Sequence, residues 1–213
     1  MTKSQHQTVL QEGDNAPDFS FINSEGKKSS LKNLKGKRII LYFYPKDDTP
    51  GCIAESSSLR DNYRMLKKKG YEVIGVSKDN KKSHVRFSKK FKLPFTLIPD
   101  TKKKIIKSYD VWGKTIFMGK IFDWIVRTTF VIDEKGKIKK IIRNVDTARH
   151  AEQILNDLGK TNMKSIIFPR KSEKSKRKGV KLREVKVLKK IQHAKNRKEI
   201  LVSASPRLFK WSN

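Results

Sequence analysis

Residues 37–45 read KRIILYFYP, a continuous apolar run of β-branched and aromatic side chains closed by a proline. A strand that meets water on one face alternates apolar with polar residues, whereas one covered on both faces stays apolar throughout. The run therefore predicts a central strand buried on both sides, with Pro45 bending the chain out of it. The flanking sequence agrees. CIAESSSLRDNYRMLKKKG (52–70) sets Ala54, Leu59, Tyr63 and Leu66 at roughly helical spacing, with Gly70 as a C-terminal stop. YEVIGVS (71–77) is a second buried strand, and NKKSHVRFSKKF (80–91) a second helix with Val85 and Phe91 turned inward.

FTLIPD (95–100) is a short strand, followed by a Lys-rich helix from Lys102 to Tyr109. RTTFVIDEKGKIKKIIRNV (127–145) has the pattern of a β-hairpin that turns at Glu134-Lys135-Gly136. RHAEQILNDLG (149–159) closes as an amphipathic helix capped by Gly159. The order β-α-β-α-β, then hairpin, then helix predicts an α/β fold: a central mixed sheet flanked by helices, in a thioredoxin-like arrangement.

The composition shifts near Gly159. Residues 1–159 hold 33 Lys+Arg and 18 Asp+Glu; residues 160–213 hold 18 Lys+Arg and only Glu173, Glu184 and Glu199 as acids. This divides the chain into a folded domain, 1–159, and a basic tail, 160–213. The tail's first part has the composition of a disordered segment, while Leu182, Val185, Leu188 and Ile191 allow a short helix near 182–198. The formal charge of the chain is +30, which attracts polyanions and bears on partners rather than on the fold.

Cys52 is the only cysteine in 213 residues, so no intramolecular disulfide can form and a reducing compartment is the natural home. The N-terminus lacks a signal-peptide apolar run, and no stretch of about 18 apolar residues predicts a membrane helix. The expectation is a soluble cytoplasmic protein with no membrane insertion. In a eukaryotic source, KSKRK (174–178) would resemble a nuclear localisation signal.

Cys52 falls just past a strand end, in the first turn of the following helix. Unpaired amides and the positive end of the helix dipole favour an anion there. Pro50 and Gly51 suit the turn, Thr49 can cap the helix or aim its hydroxyl at the sulfur, and Pro45 can shield the sulfur from bulk water. Taken alone, a solitary buried cysteine can equally be inert packing.

The string YFYPKDDTPGC (42–52) resembles the peroxiredoxins, and in particular the bacterioferritin comigratory protein or PrxQ branch. GDNAPDFS (13–20), GVSKD (75–79), LPFTLIPD (93–100), YDVWGKTIFMGK (109–120) and RTTFVID (127–133) match in order, so the resemblance spans about residues 10–158. It implies a thiol peroxidase needing no cofactor, which reduces hydrogen peroxide and organic hydroperoxides. Cys52 would be the peroxidatic cysteine, Thr49 the hydroxyl that binds peroxide and thiolate, and Pro45 the shielding proline. Arg127 would be the distant arginine that stabilises the sulfur and the leaving oxygen. Many members of this branch carry a second, resolving cysteine five residues after the first. Here that position is Ser57. The sulfenic acid must then be reduced from outside, by thioredoxin, glutaredoxin or glutathione. The branch is often monomeric, and a monomer is expected.

Other features carry less. GKT (113–115) ends like a phosphate-binding loop, but position 108 is Ser where that loop needs Gly. His84, His150 and His193 are too scattered for a metal site. Asp47 and Asp48 read as solvated turn residues, and Trp112, Phe117 and Trp124 as core or active-site wall. A second functional class is a nucleic-acid-associated protein, with 160–213 binding phosphate backbones without sequence preference.

Overall fold

A computed structural model of the chain describes residues 3–4, 6–22, 26–117 and 120–167. The expectations placed on 168–213, the short helix and nucleic-acid binding among them, lie outside the described residues.

The strands are β1 (Lys3–Ser4), β2 (Ser20–Ile22), β3 (Lys28–Ser30), β4 (Arg38–Phe43), β5 (Tyr71–Ser77), β6 (Thr96–Pro99), β7 (Trp112–Phe117), β8 (Lys120–Ile125), β9 (Thr128–Ile132) and β10 (Ile138–Ile142). The helices are α1 (Pro50–Asp61), α2 (Tyr63–Lys68), α3 (Lys81–Phe91), α4 (Lys104–Ser108) and α5 (His150–Ile167). The central sheet has the order β10-β9-β4-β5-β6. β4, β5 and β6 are parallel, while β9 runs antiparallel to β4 and β10 antiparallel to β9. The sheet is therefore mixed, because a hairpin joins the edge of a parallel βαβαβ unit.

β4 is central, and its alternate residues feed two cores. Ile39, Leu41 and Phe43 pack on one face with Phe19, Phe21, Ile106, Tyr109 and Phe130, beneath β2, β3 and α4. Ile40, Tyr42 and Tyr44 pack on the other with Cys52, Leu59, Leu66, Phe87 and Ile154, beneath α1, α2, α3 and α5. Each fully buried large apolar side chain contributes about 1.5–3 kcal/mol, so this doubly covered strand anchors everything attached to its ends. In β10 a bulge between Ile138 and Lys140 brings Ile138 and Ile141, three apart, to the same core.

The structure departs from the periodicity in several places. The predicted helix 52–70 is two helices meeting at Asn62, and Gly70 does adopt the left-handed backbone (φ 81°) expected of a stop. α3 is rotated from its apolar periodicity: Val85 is exposed, while His84 and Phe87 are buried. The reason is a polar pocket under the helix that takes the imidazole. α4 is shorter than 102–109. Gly159 does not end α5, which continues to Ile167; its backbone is not left-handed, and a glycine inside a helix costs only about 1 kcal/mol. Trp112, Phe117 and Trp124, expected as core or active-site wall, lie on a β7–β8 hairpin that the sequence reading does not include, in which Trp112 pairs with Ile125 and Phe117 with Lys120.

Candidate active site

β4 ends at Phe43, and the segment 44–49 carries the chain to Pro50, the first residue of α1. Proline suits this position because the missing N–H would have no helical partner. The first backbone bond of the helix runs from Ile53 N–H to Thr49 O at 2.8 Å, which leaves the amides of Gly51 and Cys52 outside the ladder. Thr49 is the N-cap residue by position, but its side chain makes no cap bond. Its Oγ1 donates instead to Lys46 O at 3.0 Å and so ties the turn together. Cys52 is fully buried among Tyr42, Tyr44 and Leu59, and Pro45 is half-buried at the strand exit.

Arg127 reaches this turn from the residue before β9. Thr128 pairs with Phe43, so the start of β9 lies beside the end of β4. From there Arg127 Nη2 lies 3.3 Å from Cys52 Sγ, and a Cβ on Gly51 would come 3.4 Å from the same nitrogen. Glycine at 51 thus gives the guanidinium room to lie over the turn. Nη1 donates to Glu55 Oε2. Burial opposes the Arg127 charge, but Glu55 and Cys52 outweigh it and hold the group above its ordinary value.

Glu55 is the functional-site residue that periodicity does not reveal. It lies one helical turn after Cys52 and is completely buried, although nothing in its type predicts an inward carboxylate. Burial pushes its pKa up to about 7, and the attraction and hydrogen bond of Arg127 only partly offset this. Its other oxygen, Oε1, lies 3.3 Å from Nδ1 of His150, also fully buried. His150 Nε2 lies 3.0 Å from Thr129 Oγ1. Burial, and then the charge of Arg127, pulls the His150 pKa down to about 3, so the ring is neutral.

Asp47 is buried, not solvated. It accepts hydrogen bonds from Tyr44 OH (2.7 Å) and Ser83 Oγ (2.6 Å), and His84 Nδ1 lies 2.9 Å from its Oδ2. Its amide donates to Asp79 Oδ2 at 2.9 Å. Burial alone would raise the Asp47 pKa, but His84, Ser83 and Tyr44 outweigh it and hold the carboxyl below its ordinary value. Asp48 is exposed as expected. It sits in the left-handed region (φ 57°), with both carboxylate oxygens 2.8 Å from Lys90 Nζ. The loop before Cys52 is thereby fastened to α3.

Of the four residues singled out in the sequence, the structure brings Cys52 and Arg127 into contact, puts Thr49 at the helix entry with its hydroxyl turned to Lys46, and leaves Pro45 half-buried at the strand end. Among the described residues no group of three His, Cys, Asp or Glu side chains could hold a metal ion, and no helix is long and apolar enough to cross a membrane.

The chain matches the AhpC/TSA family over residues 12–141. It is 41% identical over 147 residues to peroxiredoxin Bcp of Escherichia coli (strain K12), covering 69% of this chain and 94% of that one. Its fold superposes on peroxiredoxin Q of Xanthomonas campestris with a TM-score of 0.64 and 32% identity, over 72% of this chain and 98% of the other. A structure of the bacterioferritin comigratory protein of the same organism, described in terms of alkyl peroxide reduction, gives a TM-score of 0.63 and 31% identity over 73% and 99%. The thioredoxin-like arrangement seen in the sheet order is the one these structures share.

Proposed function

This chain belongs to the AhpC/TSA family, in its Bcp/PrxQ branch, and on that premise we propose that its thiol-dependent reduction of peroxides runs through Cys52. The observation that carries the assignment is the 3.3 Å approach of Arg127 Nη2 to a sulfur in the first turn of α1. The Cys52 thiolate attacks the terminal oxygen of ROOH, the O–O bond breaks, and the departing RO⁻ takes up a proton. The products are Cys52–SOH and ROH. Negative charge develops on the departing oxygen, where Arg127 and the free amides of Gly51 and Cys52 can act as donors. Thr49 at the helix entry holds the turn, and Pro45 limits water at the sulfur.

The second half of the cycle needs a thiol from elsewhere, since Cys52 has no cysteine partner in the sequence. An outside thiol condenses with Cys52–SOH to give a mixed disulfide and water. A second thiol then releases Cys52. We take thioredoxin, glutaredoxin or glutathione as the donor, and a cytoplasmic monomer as the working unit. Because Cys52 is fully buried, the first turn of α1 must open for that thiol to reach it.

Two assays test this. Peroxide consumption with thioredoxin and glutathione systems offered separately should proceed with wild type and vanish in Cys52→Ser. Mass spectrometry of peroxide-treated protein in excess glutathione should find one adduct, on Cys52. Activity retained in Cys52→Ser would overturn the assignment of the sulfur, and no adduct would count against a glutathione route.

A further inference from the structure

Glu55 Oε1 and His150 Nδ1 are both buried and lie 3.3 Å apart, yet neither makes a formed hydrogen bond, to the other or to any further group among the described residues. The groups around the ring are Glu55 from α1, Tyr42 from β4, Thr129 on β9, Arg127 at the approach to β9, and Asp146 before α5. Of these, only Glu55 faces Nδ1 and only Thr129 faces Nε2 at hydrogen-bonding distance.

A neutral imidazole has one donor and one acceptor nitrogen. An ionised carboxylate only accepts, so with Glu55 charged a hydrogen bond across this 3.3 Å gap needs the proton on Nδ1. Nε2 is then an acceptor, and the Thr129 hydroxyl must donate to it. A protonated Glu55 permits the reverse: Nδ1 accepts, Nε2–H donates, and the Thr129 oxygen accepts. The charge of Glu55, the tautomer of His150 and the rotor of Thr129 are thus linked through two short contacts.

We propose that His150, with Nε2 on the Thr129 hydroxyl and Nδ1 turned to the carboxylate, is a positioning residue that favours a Glu55 carboxylate aimed at Arg127, and so keeps Arg127 forked between Glu55 and the Cys52 sulfur. This rests on the peroxidase assignment. It gives the buried start of α5 a part in the reaction although His150 contacts Glu55, Thr129 and Tyr42 rather than the sulfur.

The test compares full-length, reduced protein carrying His150→Phe, His150→Asn or Thr129→Val by stopped-flow measurement of sulfenic acid formation with hydrogen peroxide from pH 5 to 9. His150→Phe removes the donor and should lower the second-order rate constant at pH 7 by about tenfold to a hundredfold. It should also move the acid limb of the rate profile up by about one pH unit, because Glu55 then protonates more readily. His150→Asn keeps an N–H near the Nδ1 position and should recover most of the rate. Thr129→Val preserves shape while taking from Nε2 its hydrogen-bond partner, and should move the limb in the same direction as His150→Phe; it decides the matter if His150→Phe does not fold. Nitrogen-15 NMR of the wild type above the acid limb should show Nδ1–H. An Nε2–H ring in that range, or a phenylalanine variant with the wild-type rate and limb, overturns the role of His150 while leaving the peroxidase intact. A wild type that does not consume peroxide overturns both.

Discussion

The guanidinium of Arg127 lies 3.3 Å from the sulfur of Cys52, 75 positions away in sequence. The contact joins the start of one strand to the helix entry beyond another, and it carries a second bond from Arg127 to the buried carboxylate of Glu55. Removing the arginine would therefore take a cation from the sulfur and also leave Glu55 without its counter-charge. Arg127→Gln should lower the second-order rate with peroxide by about a hundredfold to a thousandfold. Arg127→Lys should not restore it, since one ammonium cannot reproduce the fork that spans Sγ and Oε2. Stopped-flow rates of the two variants decide; a lysine variant at wild-type rate would show that charge alone suffices.

Glu55 and His150 pull stability in opposite directions as pH changes. Glu55 has a folded value of about 7 against an ordinary 4.5, so the folded state keeps a proton that the unfolded chain gives up. Its contribution falls as pH rises from about 4.5 to 7. His150 has a folded value of about 3 against an ordinary 6.5, so unfolded chains bind a proton that the fold excludes, and its contribution rises with pH over that window. The two nearly cancel between pH 5 and 6.5. Glu55→Gln leaves only the histidine effect, so the gain in unfolding free energy from pH 5 to 7 should exceed that of wild type by about 2–3 kcal/mol. Urea melts at the two pH values measure it, and equal slopes would show that Glu55 titrates normally in the fold.

Asp47 accepts from Tyr44 and Ser83 and lies against His84. Asp47→Ala would strand these buried groups and should cost about 3 kcal/mol. The same change loosens the loop that leads to Cys52, so the peroxide rate should fall as well. Thermal unfolding and stopped-flow rates check both effects; a full loss of stability with an unchanged rate would mean that the α3 anchor does not orient the thiolate turn.

Ser57 lies on α1 five residues beyond Cys52. In an intact helix, Cα atoms five apart are about 8.7 Å from each other, beyond the roughly 7 Å a disulfide can span. Ser57→Cys should therefore form an internal disulfide after peroxide only if α1 unwinds locally. Hydrogen exchange should show lost protection over 52–58 in the oxidised variant and not in the reduced one. A disulfide formed with α1 fully protected would contradict this.

The two-sided burial of β4, the parallel β5 and the hairpin β9–β10 were all legible, because unbroken apolar runs and a glycine turn have direct structural meaning. Cys52 and Arg127 were legible through the motif YFYPKDDTPGC and its distant counterpart RTTFVID. Glu55, Asp47, His84 and His150 were not. Polar residues on a buried face break the apolar periodicity, so α1 reads as weakly amphipathic and α3 as turned the wrong way. The partners that make these residues tolerable inside, Arg127, Ser83 and Thr129, arrive from other elements, and no local spacing encodes such meetings. The β7–β8 hairpin is not legible, because its aromatic residues read as core or active-site wall and not as paired strands.

One consequence of the antiparallel pairing of β4 with β9 concerns how the site tolerates length changes. Thr128 opposite Phe43 is the last rung of that ladder, and it acts as a length standard for the site. A slip of two residues would preserve which side chains face each core, yet it would carry Arg127 about 7 Å along the strand and out of reach of the sulfur. A paired insertion within 128–132 could thus leave a well-packed sheet and an idle thiol. The reach of Arg127 is metered by hydrogen-bond register rather than by the loop that holds Cys52.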